Sequence, residues 1–211
     1  MSPIVELRDV GVSLGGHPVL SGIDLVLDHG ATVGIAGPNG SGKTTLVRTV
    51  ATLLAFDRGT ATILGETEDY IRARREIGLI GHHPSLIPEL TLVENLEHVA
   101  RLSAIDPSRV GKALEVVGLD EVADRRAAAC SFGMQRRVEI AHLLLRRPRL
   151  LLLDEAASGL DESAQDLIGA LIASVRERDG GAVLVSHDRT HLAGLCDRVL
   201  SLEAGRLDGV A

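Results

Sequence analysis

The chain has 211 residues, 45% of them apolar and 24% charged, with a formal net charge of −7 at pH 7. That length holds one domain with a substantial core, and the acidic balance gives no sign of a nucleic-acid surface, so no nucleic-acid partner is expected. Two cysteines make no disulfide framework, and with no Trp, one Tyr and two Phe the core has to be built from Leu, Val, Ile and Ala. Residues 1–6 lack the basic start and apolar run of a signal peptide, and no stretch approaches the roughly 18 apolar residues of a membrane span, so a cytoplasmic chain is expected.

In chain order, residues 3–8 and 23–27 read as strands. In the second, Ile23, Leu25 and Leu27 alternate with Asp24, Val26 and Asp28, the period of a half-buried sheet. Gly15, Gly16, His17 and Pro18 form the turn between such strands. The apolar run at 31–36 reads as a short buried strand. It leads into Gly37-Pro38-Asn39-Gly40-Ser41-Gly42-Lys43-Thr44-Thr45, then a helix carrying Leu46, Val47, Val50, Leu53 and Leu54 on one face. Strand, glycine loop and helix, in that order, make the GxxxxGK[ST] spacing a phosphate-binding signal. The glycines remove Cβ atoms so that backbone N–H groups can close around phosphate oxygens, and the helix N-terminus adds unpaired donors. Lys43 is expected on the β- and γ-phosphates and the Thr44 hydroxyl on Mg²⁺. The expected ligand is a nucleoside triphosphate.

Further on, residues 59–65 read as a strand, 70–76 as one or two helical turns, and 77–81 as an apolar strand ending at His82-His83-Pro84. From there to about residue 147 the pattern is helical. Thr91 and Glu94 form a capping box, Asp106 reads as an N-cap with Pro107 at the first helical position, Gly118 ends that helix, and Ser131 caps a third one running to Pro148. Residues 150–155 are a buried strand ending in Asp154 and Glu155, 161–178 a helix, and 183–185 a strand ending in Ser186-His187-Asp188. Residues 189–195 form a short helix and 199–202 a last strand or hairpin arm. Strands alternating with helices predict an α/β fold with a mainly parallel core sheet, an antiparallel β subdomain ahead of it and an inserted helical subdomain. The expected division of the single domain 1–211 is a core of 1–83 and 136–211 with helices at about 84–135.

An open α/β sheet binds ligands at the carboxyl edge of its strands. Asp154 is therefore placed to hold Mg²⁺ with Thr44, and Glu155 to take a proton from an attacking water. His187, at the end of another apolar strand, can hydrogen-bond the γ-phosphate.

Taken as an ordered set, these motifs resemble the ATP-binding subunit of ABC (ATP-binding cassette) transporters over essentially the whole chain. Residues 37–44 are similar to the Walker A motif, 150–154 to Walker B with Glu155 as the catalytic carboxylate, 158–161 to the D-loop, and His187 to the switch histidine. Cys130-Ser131-Phe132-Gly133-Met134-Gln135-Arg136-Arg137 resembles the LSGGQ signature, with degenerate letters in the expected place. The resemblance implies a P-loop ATPase of the ABC type that binds ATP and Mg²⁺, with Lys43, Glu155 and His187 catalytic. It also implies nucleotide contacts from residues 37–45, Ser131, Gly133 and Asp161. Two copies would enclose two ATP molecules head to tail, as a peripheral motor on the inner face of the membrane, working on separate permease subunits.

The departures are specific. Leu14 stands where the family has an adenine-stacking aromatic. His82 stands where it has a glutamine that contacts Mg²⁺, which makes His82 a candidate metal contact. Phe132, Met134 and Ala156 replace the usual Gly, Gln and Pro. None of these removes a proton-transfer group, so an active ATPase is expected. Ile80-Gly81-His82 together with Glu89-Leu90-Thr91-Leu92-Val93-Glu94-Asn95-Leu96 is similar to the haem-exporter ATPase of cytochrome c maturation. Alternatives are another export-type ABC ATPase, for drug, lipid or polysaccharide, a soluble ABC scaffold without a permease, and a module that closes on ATP without hydrolysing it.

Overall fold

The structure is a computed structural model and describes residues 2–156 and 161–208. Strands β1 (Val5–Leu14) and β2 (His17–Leu27) form an antiparallel hairpin. It is closed by Gly15 and Gly16 at φ 57° and 81°, a two-residue turn whose positive φ values match strand twist. Pairing resumes at once, Leu14 with His17 and Ser13 with Pro18. Both strands are thus longer than the sequence pattern suggested, and His17 and Pro18 belong to β2 rather than to the turn. Pro18 is tolerated because β2 is the outer strand of a sheet ordered β2-β1-β4, with β4 at Arg58–Ile63. Ile23, Leu25 and Leu27 are all buried, as the alternation predicts.

The second sheet has six strands in the order β5-β6-β7-β3-β8-β9. These are β3 (Thr32–Ala36), β5 (Ile77–Ile80), β6 (Leu150–Asp154), β7 (Gly181–Ser186), β8 (Arg198–Glu203) and β9 (Arg206–Asp208). The pairs β6–β7, β7–β3 and β3–β8 are parallel and β8–β9 is antiparallel. Every residue of β3 and β6 is buried, as befits a parallel sheet covered on both faces.

The chain divides into two compact units. The first comprises residues up to Leu79, Pro148–Glu155 and those from Ser174 onward. Its core is aliphatic, with Ile4, Leu7, Leu25, Ile35, Leu46, Leu152, Val183 and Leu200 buried and Phe56 and Tyr70 only at its margin. Helix α1 (Lys43–Val50) packs on β6 and β7. The apolar pattern placed its end at Leu54, but it stops at Val50. Thr52 turns left-handed at φ 59°, and the amides of Leu53 and Leu54 both return to the Arg48 carbonyl, 2.9 and 3.2 Å away. Helix α2 (Ile71–Glu76) precedes β5. Helix α7 (Arg189–Leu195), packed against β3, β7 and β8, is capped by Asp188, which accepts the His191 amide at 3.0 Å.

The second unit comprises Ile80–Arg147 and Ala156–Ala173. Helices α3 (Leu92–Leu102), α4 (Arg109–Val116) and α5 (Phe132–Arg146) pack together in it. Leu92, Leu96, Ala100, Val110, Leu114 and Val138 are buried. The capping box at Thr91 and Glu94 is present in both directions. At α4 the expectation needs correcting, because the helix opens at Arg109. Asp106 uses its carboxylate on the Ser108 amide at 3.0 Å, which shapes the turn ahead of the helix instead of its first residue. Helix α6 (Glu162–Arg176) follows Asp161, whose carboxylate accepts the Ala164 amide at 2.8 Å.

Among the described residues no helix is long and apolar enough to cross a membrane.

One group in α5 makes stability pH-dependent. Burial, helped by the charge of Arg146, holds His142 down at about 4, and its Nε2 has no partner. A histidine pKa depressed on folding favours the fold fully above about 6.5 and loses that contribution as pH falls toward 4, by on the order of 3 kcal/mol in total. Urea midpoints measured across this window should fall in the wild type, and the part due to this site should vanish in His142→Leu.

Candidate active site

The parallel register sets the site. Ala36 pairs with Ser186 across β3–β7, and Asp154 with Val185 across β6–β7. Three strands therefore end side by side, and the glycine loop, the carboxylates and His187 leave from one edge.

The loop is built so that only glycine fits at its critical points. A Cβ on Gly37 would run into the Leu202 carbonyl and the Ser41 hydroxyl. Gly42, the residue ahead of α1, has φ 106° and is backed by Leu20 and Val19 of β2. The first amide of α1 with a helical partner is that of Leu46, which bonds the Gly42 carbonyl at 2.9 Å, and no side chain caps the helix. The preceding amides, on residues 43–45, are available to an anion. Lys43 is 7% exposed, and its Nζ donates to the Gly37 carbonyl at 2.7 Å and the Pro38 carbonyl at 3.1 Å. The ammonium thus lies along the loop from which it would reach phosphate. Ser41 Oγ is buried without a hydrogen-bond partner, an orphan that a phosphate oxygen can satisfy. Pro38, Asn39, Gly40 and Thr44 are exposed and Thr45 half-buried.

Asp154 closes β6 and is buried. Glu155 follows in the left-handed region at φ 53°, with its amide on the Val185 carbonyl at 3.0 Å. That turn carries its side chain to the end of β7. There Oε2 accepts the Ser186 hydroxyl at 3.0 Å and Oε1 accepts the His187 amide at 2.9 Å. His187 Nδ1 lies 3.2 and 3.1 Å from the two oxygens. A carboxylate is an acceptor only, so Nδ1 carries the proton and Nε2 is left for another partner. Lys43 Nζ is 3.9 Å from Glu155 Oε1. The structure thus brings Lys43, Glu155 and His187 together, along with Ser186, which the sequence pattern marks only as a strand end. A hydroxyl directly ahead of a strand-end histidine was the available signal.

Leu14 is 44% exposed at the tip of β1. Directly opposed residues of an antiparallel pair share a face, so Leu14 and His17 do, and no aromatic ring stands at position 14.

His82, Ser131, Gly133 and Asp161 belong to the second unit. Ser131 caps α5, its hydroxyl accepting the Met134 amide at 3.3 Å, and Gly133 lies in the first turn behind it. The His82 side chain is exposed, with its ring edge-on to His83 at 4.7 Å. Asp161 is held below the usual carboxylate range first by the Ala164 amide, then by the Ser163 hydroxyl and Arg137. Residues 158–160 of the D-loop segment lie outside the described residues.

The residues present suit a magnesium ion completed by substrate. Thr44 and Asp154 offer hard oxygen donors, and no group of three His, Cys, Asp or Glu among the described residues could hold a metal alone. Mg²⁺ at nucleotide sites is held by one or two such groups together with phosphate oxygens and water.

Comparison with known proteins agrees with this geometry. Residues 20–158 match the ABC transporter family model. An uncharacterized ABC transporter ATP-binding protein of Bacillus subtilis, YdbJ, is 35% identical over 97% of this chain and 68% of its own length. The Nod factor export ATP-binding protein I of Cupriavidus metallidurans is 33% identical over 98% of this chain and 70% of its own. The spermidine/putrescine import protein PotA of Haemophilus influenzae is 32% identical over 97% of this chain but only 57% of its own. Among solved structures, the dimeric post-hydrolysis state of the ATP-binding cassette MJ0796, bound to ADP and Pi, superposes with a TM-score of 0.86 at 28% identity and covers 97% of both chains.

Loss of the ammonium should weaken nucleotide binding while leaving the fold intact. Lys43→Ala removes a charged donor worth roughly 1.5–3 kcal/mol, so calorimetric titration with ATP should show an affinity loss on the order of ten- to a hundredfold.

Proposed function

The chain belongs to the ABC transporter family of ATP-binding, ATP-hydrolysing subunits, and on that footing we propose that it is the motor of a transporter whose membrane-spanning permease is a separate protein. The observation that carries this is the cluster at one sheet edge, in which Glu155, His187 and Lys43 converge on the glycine loop.

In the proposed mechanism residues 37–45 hold the triphosphate through their amides and Lys43 neutralises its β- and γ-oxygens. Thr44 and Asp154 would hold Mg²⁺, which supplies charge neutralisation on the phosphates. Glu155 takes the proton of the attacking water, and His187 in its imidazolium form, with Nδ1–H kept on Glu155, donates from Nε2–H to the γ-phosphate. Ser131 and Gly133, at the start of α5, are the donors offered to the nucleotide of a second copy, and Asp161 follows the D-loop segment that would line the same contact. We take the whole of 1–211 as one cassette, with residues 84–135 as its helical part, peripheral on the inner face of the membrane.

The finer assignment, export of haem for cytochrome c maturation, rests on residues 80–82 and 89–96. Within 89–96 the structure gives local work to the residues that carry the similarity. Thr91 and Glu94 cap α3, and the buried Asn95 side chain accepts the Ile87 amide at 2.8 Å and donates to the Ile87 and Thr91 carbonyls. Such residues serve any cargo equally well, and the relatives above are named for Nod factor export and for polyamine import. The haem assignment is therefore left to His82 and is secondary to the motor.

Tagged Glu155→Gln should be purified with ATP from detergent-solubilised membranes and its companions identified. A polytopic partner is expected, and a haem absorption band in the eluate would add the cargo. A polytopic partner without haem removes the cargo assignment only, whereas soluble partners alone would move the assignment to an assembly scaffold.

A further inference from the structure

Arg136 and Glu139 of α5 lie outside the roles given above, yet they are the most buried charged pair among the described residues. Both side chains are withdrawn from solvent, Arg136 completely. Arg136 Nη1 donates to Glu139 Oε2 at 2.6 Å, and its guanidinium lies 5.2 Å from the centre of the Phe132 ring. Such a pair on one helix face normally stands in solvent and does little.

Here the remaining atoms of both groups are used on a different segment, the chain leaving β5. Arg136 Nη2 donates to the His82 carbonyl at 3.1 Å. Glu139 Oε1 accepts both the Ser85 amide at 2.9 Å and the Ser85 hydroxyl at 3.1 Å. One end of the pair can only donate and the other only accept, and the segment presents a carbonyl to the first and an amide to the second. The match fixes which residue of the segment sits where on the helix. The same helix opens at Phe132, four residues before Arg136, behind its cap Ser131, and the glycine of the signature segment, Gly133, is its second residue.

Stability does not explain the pair. Burial pushes Glu139 up and Arg136 down, in each case against the attraction of the partner. Well-packed apolar side chains in such places are often as stable or more so. Arg136 Nε, moreover, has no hydrogen-bond partner, so the pair is not even fully satisfied.

We propose that Arg136 and Glu139 are positioning residues that clasp residues 82–85 onto α5, so that His82 and the signature end of the helix move as one body during turnover. The functional half of this rests on the roles assigned to His82, Ser131 and Gly133 above. The clasp itself does not.

Two double variants test it. Arg136→Met with Glu139→Leu replaces the pair with apolar groups of similar size. Arg136→Glu with Glu139→Arg keeps an ion pair but reverses its chemistry, since a carboxylate cannot donate to the His82 carbonyl nor a guanidinium accept the Ser85 amide. Melting temperature, amide hydrogen exchange of Ser85 and steady-state ATPase kinetics are measured on each, with Glu155→Gln alongside.

Both variants should stay folded, and exchange of the Ser85 amide should accelerate by about tenfold or more. The kcat for ATP should fall by about tenfold with KM unchanged, because the nucleotide loop is untouched. If either folded variant keeps wild-type protection of the Ser85 amide, the clasp is refuted. If protection is lost while kcat is kept, the coupling to turnover is refuted. If the charge-reversed variant alone behaves like the wild type, a generic ion pair suffices and the proposal falls. Should Glu155→Gln hydrolyse ATP normally, the assigned chemistry fails, while the exchange data still decide the clasp.

Discussion

The parallel register of β3, β7 and β6 is the constraint on which the rest depends. Pairing Ala36 with Ser186 and Asp154 with Val185 makes the strands end level, so that the glycine loop, Asp154, Glu155 and His187 leave from one line of backbone. A shift of one residue in any of these strands would turn alternate side chains to the opposite face and move the carboxylates away from the loop. The aliphatic strands hold that register from both faces, with no aromatic residue in the buried core. A rigid, apolar sheet thus positions a polar edge, and at that edge two residues take special backbone. Gly42 at φ 106° and Glu155 at φ 53° are where the chain departs from strand and helix to present an amide cradle and a carboxylate.

The charged groups of the edge are paired with one another and with backbone. The Lys43 ammonium is held by two loop carbonyls, and the Glu155 carboxylate by the hydroxyl and amide at the end of β7 and by His187. Each charged group has a partner that a phosphate group or a water can take over. Such an arrangement avoids an unpaired buried charge at the edge.

The sequence made most of the site legible because its signals are contiguous. A buried strand, a glycine loop, a lysine and a helix follow one another within residues 31–50, and the two later strands each carry their polar group at the C-terminal end. Parallel pairing then does the assembling. What stayed hidden depends on backbone angles or distant partners. The apolar spacing of Leu53 and Leu54 mimics a continuing helix, and nothing in it announces the left-handed Thr52. Asp106 has the residue type of an N-cap, yet the helix begins only at Arg109. Arg136 and Glu139 look like an ordinary solvent pair until residues 82–85, far upstream, return to cover them. The motif-like segment at 89–96 shows the reverse, since a similarity suggestive of cargo is carried by a cap and a buried amide with local folding roles.

The central claim, that the sheet edge binds ATP for hydrolysis between two copies of the chain, is tested most directly by the mass of Glu155→Gln in solution. Size exclusion with light scattering should show a monomer without nucleotide and a dimer with ATP and Mg²⁺, reverting when Lys43→Ala is added to the same chain. A Glu155→Gln protein that demonstrably binds ATP and yet remains monomeric at every nucleotide and protein concentration would contradict the account.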